Sequence, residues 1–555
     1  MQGLKLTKSY CYNANTVRLD GLPIGQMFDR TADKYPDREA FVFPDDDVRI
    51  TYGELKKKID KFACGLIAVG FNHGDRLGIW SDNHLEWVIV HFAALKIGLV
   101  LVHLQTGISK GQAEHVLHKT QCSGLVMGLS TRDLFSVIAD VIPELMESSP
   151  GKISSSEYTS FHTVINLEKQ ARNGMYQMSE ILELGESVGE EKLRERMEAV
   201  DYDDVSNIFF TSGSTGFPKA VVHTHHNRLR SRAAVSYVDE HDNRVFCMSP
   251  FTHVGGSEWP LLGAAVIGKT YIIGPLRWRV PDIIRCLQEE QITALFFLPH
   301  MLYDAISYVK ANAVQLPALQ AIVTGGSMMP DSLLTTAAEV FDAKVFRAYG
   351  STETLGILRQ NPASPLAITT SKDGYPSAGC EVKIVNEQGH VLPVGICGEM
   401  WFRSFFTFIY YLGDDEKTRE VKKPDGWFCS GDVGVMDESG YCRVMGRKTD
   451  VIVRSSINIY PVEIEVVLIQ HPSVLLTSVV PLPNVRLNED ICACVILKDG
   501  ETASTEDLRD FCRSQVHQDY QPDYILIFKE FPKINSQKID KAALANEARK
   551  VISSE

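Results

Sequence analysis

Short, predominantly apolar strand-like runs alternating with amphipathic helical runs constrain this chain more than any other feature. From about residue 75 the order is RLGIW, NHLEWVIVHFAALKI, LVLVHL, GQAEHVLHKT and GLVMG, which reads strand, helix, strand, helix, strand. A strand that is apolar along its whole length must be covered on both faces, and βαβ connections supply that cover in a parallel sheet. The pattern returns after residue 200 in NIFF, TYIIG, ALFFLP, AIVTGG and KVFRAYG, separated by runs such as VPDIIRCLQEEQ that suit helices. Two stacked α/β units are therefore expected. Between them, SSPGKISSSEYTS and LGESVGEEKLRERMEA read as solvated loop and exposed helix.

After residue 375 the texture changes to turn-punctuated β in EVKIVNEQGHVL, GEMWFRS and GYCRVMGRKTDVIVR, which predicts a small β-rich subdomain. The last hundred or so residues alternate short helices and strands and suffice for a compact α+β domain. A boundary at Gly446–Asp450 gives a large N-terminal domain, 1–446, and a C-terminal domain, 447–555. Such a division is expected, because 555 residues exceed what one core organises.

Composition narrows the partners. A net charge of −14 with no basic stripe argues against nucleic acid, so an anionic ligand must be held by local features. The expected partner is a small molecule, and nothing in the sequence requires a protein partner. The 12 cysteines contain no C-x-x-C pair, which predicts reduced thiols and no zinc site. The most apolar stretch, WVIVHFAALKIGLVLV, is interrupted by His91, Lys96 and Gly98, so no membrane-spanning segment is expected. A cytoplasmic location is expected. Lys5, Lys8 and Arg18 without an early acid keep a mitochondrial one open, and the terminal VISSE lacks the peroxisomal Ser-Lys-Leu address.

The chemistry concentrates in TSGSTGFPKA, residues 211–220, where Thr211, Ser212, Ser214, Thr215, Gly213, Gly216 and Lys219 crowd into one span after an apolar strand. Hydroxyls, glycines and a lysine so placed suit an anion cradle, and the helical spacing of NRLRSRAAVSYV predicts a strand-to-helix turn. The motif differs from G-x-x-x-x-G-K-[ST], and a polar linker is the bland alternative. HTHHNRLRSR reads as one solvated helix face, because no acid or cysteine stands at ligand spacing to its histidines.

Four further motifs follow in order: AYGSTET at 348–354, CSGDVG at 429–434, GRKTD at 446–450 and INSQKIDK at 534–541. With TSGSTGFPKA, their order and spacing resemble the adenylate-forming superfamily of acyl-CoA synthetases, peptide-synthetase adenylation domains and beetle luciferases. The resemblance spans nearly the whole chain, and its texture is nearest to medium-chain acyl-CoA synthetases of the family-member-2 type. It implies ATP, Mg²⁺ and coenzyme A as ligands, a small carboxylic acid as substrate, and a mobile C-terminal domain. Position by position, it implies that Thr211, Ser212, Gly213, Ser214, Thr215, Gly216 and Lys219 clasp the β- and γ-phosphates. Tyr349 would lie against adenine, with Gly325 at a strand end where a ring approaches closely. Thr352 would bind phosphate, Glu353 would ligate Mg²⁺, Asp432 would accept the ribose hydroxyls and Arg447 would support the ribose. Lys538 would act on the carboxylate and α-phosphate in the transition state, and His253 would line the acyl pocket.

Departures from the family pattern cluster where relatives perform their second half-reaction. Ser455 and Ser456 stand where relatives carry Gly-Gly beside the pantetheine tunnel, Thr449 occupies the hinge position, and Gln537 and Ala220 replace glycines. The usual Gly-Tyr pair is replaced in FFTFIYYLGDD. Three readings stay open, in this order: an acid–thiol ligase that forms acyl-AMP and then acyl-CoA, a luciferase-like enzyme that activates a luciferin, and a non-catalytic relative. Trp259 in the expected acyl region hints at a short or planar ligand.

Overall fold

The computed structural model describes residues 5–14, 21–211, 218–233, 244–326, 329–454, 457–513, 515–533 and 539–554. Within them RLGIW forms the strand Arg76–Trp80, followed by the helix Leu85–Lys96, the strand Val100–His103, the helix Lys110–Thr120 and the strand Gly124–Met127. These strands are neighbours in a seven-stranded sheet ordered Lys219–Thr224, Val205–Thr211, Val100–His103, Arg76–Trp80, Gly124–Met127, Thr163–Asn166, Met175–Gln177. All neighbours run parallel except at the Lys219–Thr224 edge. The last two strands fall between the stretches read as solvated loop and exposed helix. They are short and add one edge to a sheet whose centre lies elsewhere in sequence. The helix Glu190–Glu198 is exposed as expected, with only Leu193 buried.

The second α/β unit is a nine-stranded sheet whose centre runs Lys344–Ser351, Ala321–Gly325, Ala294–Phe297, Arg244–Cys247, Thr270–Ile273, Glu39–Phe43, all parallel. The helices Ile24–Lys34, Tyr52–Ala68 and Leu85–Lys96 lie between the two sheets. Their Phe28, Phe62 and Phe92 share one buried cluster with Leu77 and Leu101 of the first sheet and Phe41, Tyr271 and Val323 of the second. The interrupted apolar stretch is thus a central helix followed by a strand. Its Lys96 is fully buried and paired with Asp29 at 2.6 Å and with Asp60, which is how a charge survives between two sheets. No helix among the described residues is long and apolar enough to cross a membrane. The cysteines are free thiols.

The β-rich part is an antiparallel sheet ordered Tyr10–Asn13, Cys380–Val385, Gly398–Ser404, Phe428–Met436, Cys442–Arg447. Its first strand comes from the start of the chain, and the Tyr10 hydroxyl donates to Glu381 at 2.6 Å, 371 residues away. The smaller C-terminal domain holds the hairpin Ile452–Arg454 with Ile457–Ile459 and the sheet Val474–Asn484, Asn488–Leu497, Tyr524–Ile527. It has clusters of its own, centred on Ile464, Val479 and Ile491 on one face and on Val480, Cys492 and Leu544 on the other.

Candidate active site

Parallel sheets place ligands beyond the carboxyl ends of their strands, and there the motifs of the second sheet meet the β-rich part. Gly325 ends one central strand opposite Ala348. A Cβ at this position would stand 2.3 Å from the Ala348 carbonyl oxygen, so only glycine lets the two strands close up. The next strand runs Lys344–Ser351, and its Tyr349 hydroxyl donates to the Asp432 carboxylate.

Register in the β-rich sheet assembles the rest of this cluster. Asp432 and Arg447 are direct cross-strand partners, and Arg447 Nε lies 2.9 Å from Asp432 Oδ1. Gly431 supplies the left-handed turn before Asp432 with φ of +72°. Ser430 fixes both partners, its hydroxyl accepting from the Asp432 N–H at 3.0 Å and its carbonyl from Arg447 Nη1 at 2.9 Å. Asp432 is buried at 6% exposure, so it is a desolvated acceptor held by neutral and cationic donors. Burial, and then the charge of Asp432 beside it, push the Tyr349 hydroxyl well above the usual phenol range.

Glu353 forms a second cluster. Its Oε1 accepts from the Tyr411 hydroxyl at 2.8 Å, and its carbonyl accepts from the Phe408 N–H at 2.7 Å. Lys219 Nζ lies 5.2 Å from the centre of the Tyr411 ring, so this tyrosine links the end of the phosphate-loop motif to Glu353. Burial, then Glu353, hold the Tyr411 hydroxyl protonated. The Thr352 carbonyl accepts from His223 Nε2 at 2.8 Å, and burial drives the His223 imidazole down to about 3, so it serves as a neutral donor.

The phosphate-loop motif corrects one expectation. Thr211 and Lys219 pair directly across an antiparallel ladder, so the motif closes a hairpin between Val205–Thr211 and Lys219–Thr224 rather than leading straight into a helix. The helix His225–Ala233 starts only after the second strand, whose KAVVHT alternates apolar and polar residues as a sheet edge requires. Ser212, Gly213, Ser214, Thr215 and Gly216 lie outside the described residues, as do Ser455, Ser456, Gln537 and Lys538. Lys533 and Ile539, on either side of 534–538, pair across a bridge, and the Lys533 charge acts on His300 of the helix Pro299–Asn312.

His253 is exposed, and its Nδ1 accepts from the Gly255 N–H at 3.1 Å, capping the short helix Val254–Ser257. HTHHNRLRSR is not a solvated face. His223, His225 and Arg228 are fully buried, and Asn227 and Arg230 nearly so. The helix lies between the two α/β units, where its polar groups find partners that are distant in sequence. No group of three or more His, Cys, Asp or Glu side chains among the described residues could hold a metal ion alone. Mg²⁺ takes one or two carboxylates and completes its shell with phosphate and water. Glu353 has the chemistry for such a ligand.

Residues 28–412 match the family model described as AMP-binding enzyme, and residues 463–538 match that of the AMP-binding enzyme C-terminal domain. The chain belongs to the AMP-binding enzyme family. YngI of Bacillus subtilis (strain 168), which bears an acyl-CoA synthetase name, is 33% identical over 94% of this chain and 96% of its own. A mitochondrial medium-chain acyl-CoA ligase, ACSF2 of Danio rerio, is 30% identical over 98% of this chain and 91% of its own. The anthranilate CoA ligase AuaEII, solved with anthranoyl-AMP, shares the fold with a TM-score of 0.83 at 20% identity, covering 97% of this chain and 99% of its own.

Within this AMP-binding enzyme, sequence reasoning missed Tyr411, His223 and Ser430. Tyr411 lay in FFTFIYYLGDD, a stretch noticed only for departing from the family pattern. For Ser430 the sequence held a signal, since a serine two residues before an acid, as in SGD, is a common N–H acceptor in a tight turn.

Proposed function

We propose that this enzyme activates a carboxylic acid with ATP and passes the acyl group to coenzyme A. The buried Asp432, held between Tyr349 and Arg447 at the carboxyl end of the parallel sheet, carries this reading within the AMP-binding family. In the first step a carboxylate oxygen bonds to the α-phosphorus while the bond to pyrophosphate breaks, giving acyl-AMP. In the second, the coenzyme A thiolate attacks the acyl carbon and AMP leaves. Asp432 accepts the ribose hydroxyls with Arg447 beside it, and Tyr349 stacks on adenine against the strand end at Gly325. Thr211, Ser212, Gly213, Ser214, Thr215, Gly216 and Lys219 hold the β- and γ-phosphates, and Thr352 contacts phosphate. Mg²⁺, ligated by Glu353, would neutralise phosphate charge. Lys538 brings a point charge to the transferring group, where it is worth most in the transition state. His253 borders the acyl pocket.

The domains divide at 446/447, and the C-terminal one turns about Thr449 between the two steps. A medium-chain acid is the favoured substrate class, following the ACSF2 relatives. For location, free thiols support a reducing compartment, the cytoplasm or, as in the name of those relatives, the mitochondrion.

The test is a two-stage assay, pyrophosphate release driven by a panel of carboxylic acids and then thioester formation on adding coenzyme A. Wild type is expected to perform both. Lys538→Ala is expected to lose acyl-AMP formation with ATP affinity nearly unchanged. No acid driving pyrophosphate release would refute the reading.

A further inference from the structure

Arg228, in the helix His225–Ala233, has a fully buried guanidinium with a partner on every arm. Nε donates to Glu258 Oε1 at 2.8 Å, Nη1 to Asn207 Oδ1 at 2.6 Å and Nη2 to Ser257 Oγ at 2.7 Å. Burial lowers its basicity and Glu258 opposes that, so both groups face each other as a desolvated pair. Asn207 belongs to the strand that enters the phosphate-loop motif, and its amide reaches His103 Nε2 at 2.8 Å. Ser257 and Glu258 are consecutive residues at a singular point. Here the helix Val254–Ser257 widens into the π-turn Glu258–Leu262 before resuming as Gly263–Val266. Pro260 inside the turn has no N–H to give, which accounts for the widening.

The residue after this pinned pair is Trp259. Its ring meets Phe296 with centroids 5.8 Å apart, and both rings are half-buried while Glu258, Pro260, Leu295 and Phe297 on either side are buried. Trp259, Phe296 and Ala348 border one buried cluster, and Ala348 is the strand neighbour of Gly325 and precedes Tyr349. Phe296 pairs with Val323, and Ala348 with Gly325, on opposite sides of the strand Ala321–Gly325, so the ring pair stands at the same end of the sheet as the candidate nucleotide site. A buried ion pair is a poor device for stability alone, since apolar replacements of equal volume are often neutral. What the planar guanidinium fork adds is geometry, because it fixes two successive residues at the α-to-π junction.

We propose that Arg228 is a specificity-positioning residue. By clamping Ser257 and Glu258 from beneath, it sets how far Trp259 reaches across the path of the acyl chain, and so the chain length accepted, without touching substrate. This rests on the acid-activating reading above.

The experiment measures pyrophosphate release with straight-chain acids from butyrate to palmitate and reads the palmitate-to-butyrate ratio of kcat/KM alongside the KM for ATP. Arg228→Met with Glu258→Leu removes both charges at similar volume and is expected to fold. It should move the ratio by about tenfold, the discrimination a methylene gives in an apolar pocket, with the KM for ATP unchanged. Trp259→Ala should move it the same way, and combining the two sets should add nothing further, because both act through one ring. Glu258→Gln, which keeps the acceptor, should retain the wild-type ratio. Ser257→Ala, which deletes one arm, carries the test if the double variant does not fold, with a partial shift expected. An unchanged ratio in the Arg228 variants where Trp259→Ala shifts it, or fully additive effects, overturns the proposal. Failure of every acid with wild type overturns the acid-activating reading instead, and this inference with it.

Discussion

Asp432→Asn is the perturbation with the most readable consequence. The substitution keeps volume and one acceptor oxygen, which can still take the Tyr349 hydrogen bond, but turns an amide donor toward Arg447 Nε, now 2.9 Å from a carboxylate oxygen. The Arg447 side chain is 52% exposed and can turn to water, so the lost pair costs the fold no more than about 1 kcal/mol. The larger effect is expected at the proposed ribose contact. A buried carboxylate accepting two hydroxyls makes charge-assisted bonds worth about 1.5–3 kcal/mol each, but part of the gain is offset, because ribose must displace the Tyr349 hydroxyl or share the oxygen with it. The net loss is therefore about one such bond, a rise of roughly one to two orders of magnitude in the KM for ATP. Because the contact is made in ground and transition states alike, kcat should stay within a few-fold. The assay is initial-rate pyrophosphate release with ATP varied at saturating acid, alongside a thermal melt. A normal KM for ATP with a collapsed kcat would refute the reasoning and give Asp432 a part in the chemical step.

Two further outcomes follow from the interior. Gly325→Ala places a methyl 2.3 Å from a strand carbonyl that cannot yield, so thermal melts should show a loss of about 1–3 kcal/mol together with a raised KM for ATP; an unaltered melt would mean the strands move apart freely. Burial holds His223 and His225 down to about 3, against about 6.5 unfolded, so the unfolded chain takes up protons that the fold refuses. Stability is complete above pH 6.5 and falls as pH drops toward 3, by about 2 kcal/mol per histidine at pH 5. Urea midpoints at pH 7 and 5 check this, and His225→Gln, whose amide can still accept from the Ile24 N–H, should flatten the slope.

The parallel strands were legible because each is a run of apolar residues between turn signals, as in Arg76–Trp80 and Ala321–Gly325. Thr163–Asn166 was not, since this four-residue run stands between a Ser-rich stretch and a Glu-rich one and was read together with them. The candidate site was legible as an ordered set of motifs, yet the contacts that assemble it join Tyr349 to Asp432, 83 residues away, and Glu353 to Tyr411, 58 away. Local pattern contains no information about such pairs. Arg228 is the sharpest case. A run of histidines and arginines has the composition of a solvated surface, and only its partners at Asn207, Ser257 and Glu258 reveal an interior.

The strand Tyr10–Asn13 has a consequence in time. A ribosome releases it long before its partner Cys380–Val385, a wait of about 20–70 seconds at roughly 5–20 residues per second. Until then its tyrosines have no sheet to join, so both α/β units can close before the amino end is stitched in. A chain that stalls anywhere before Cys380 would carry an unpaired strand, a ready handle for chaperones or proteases and a seed for mispairing.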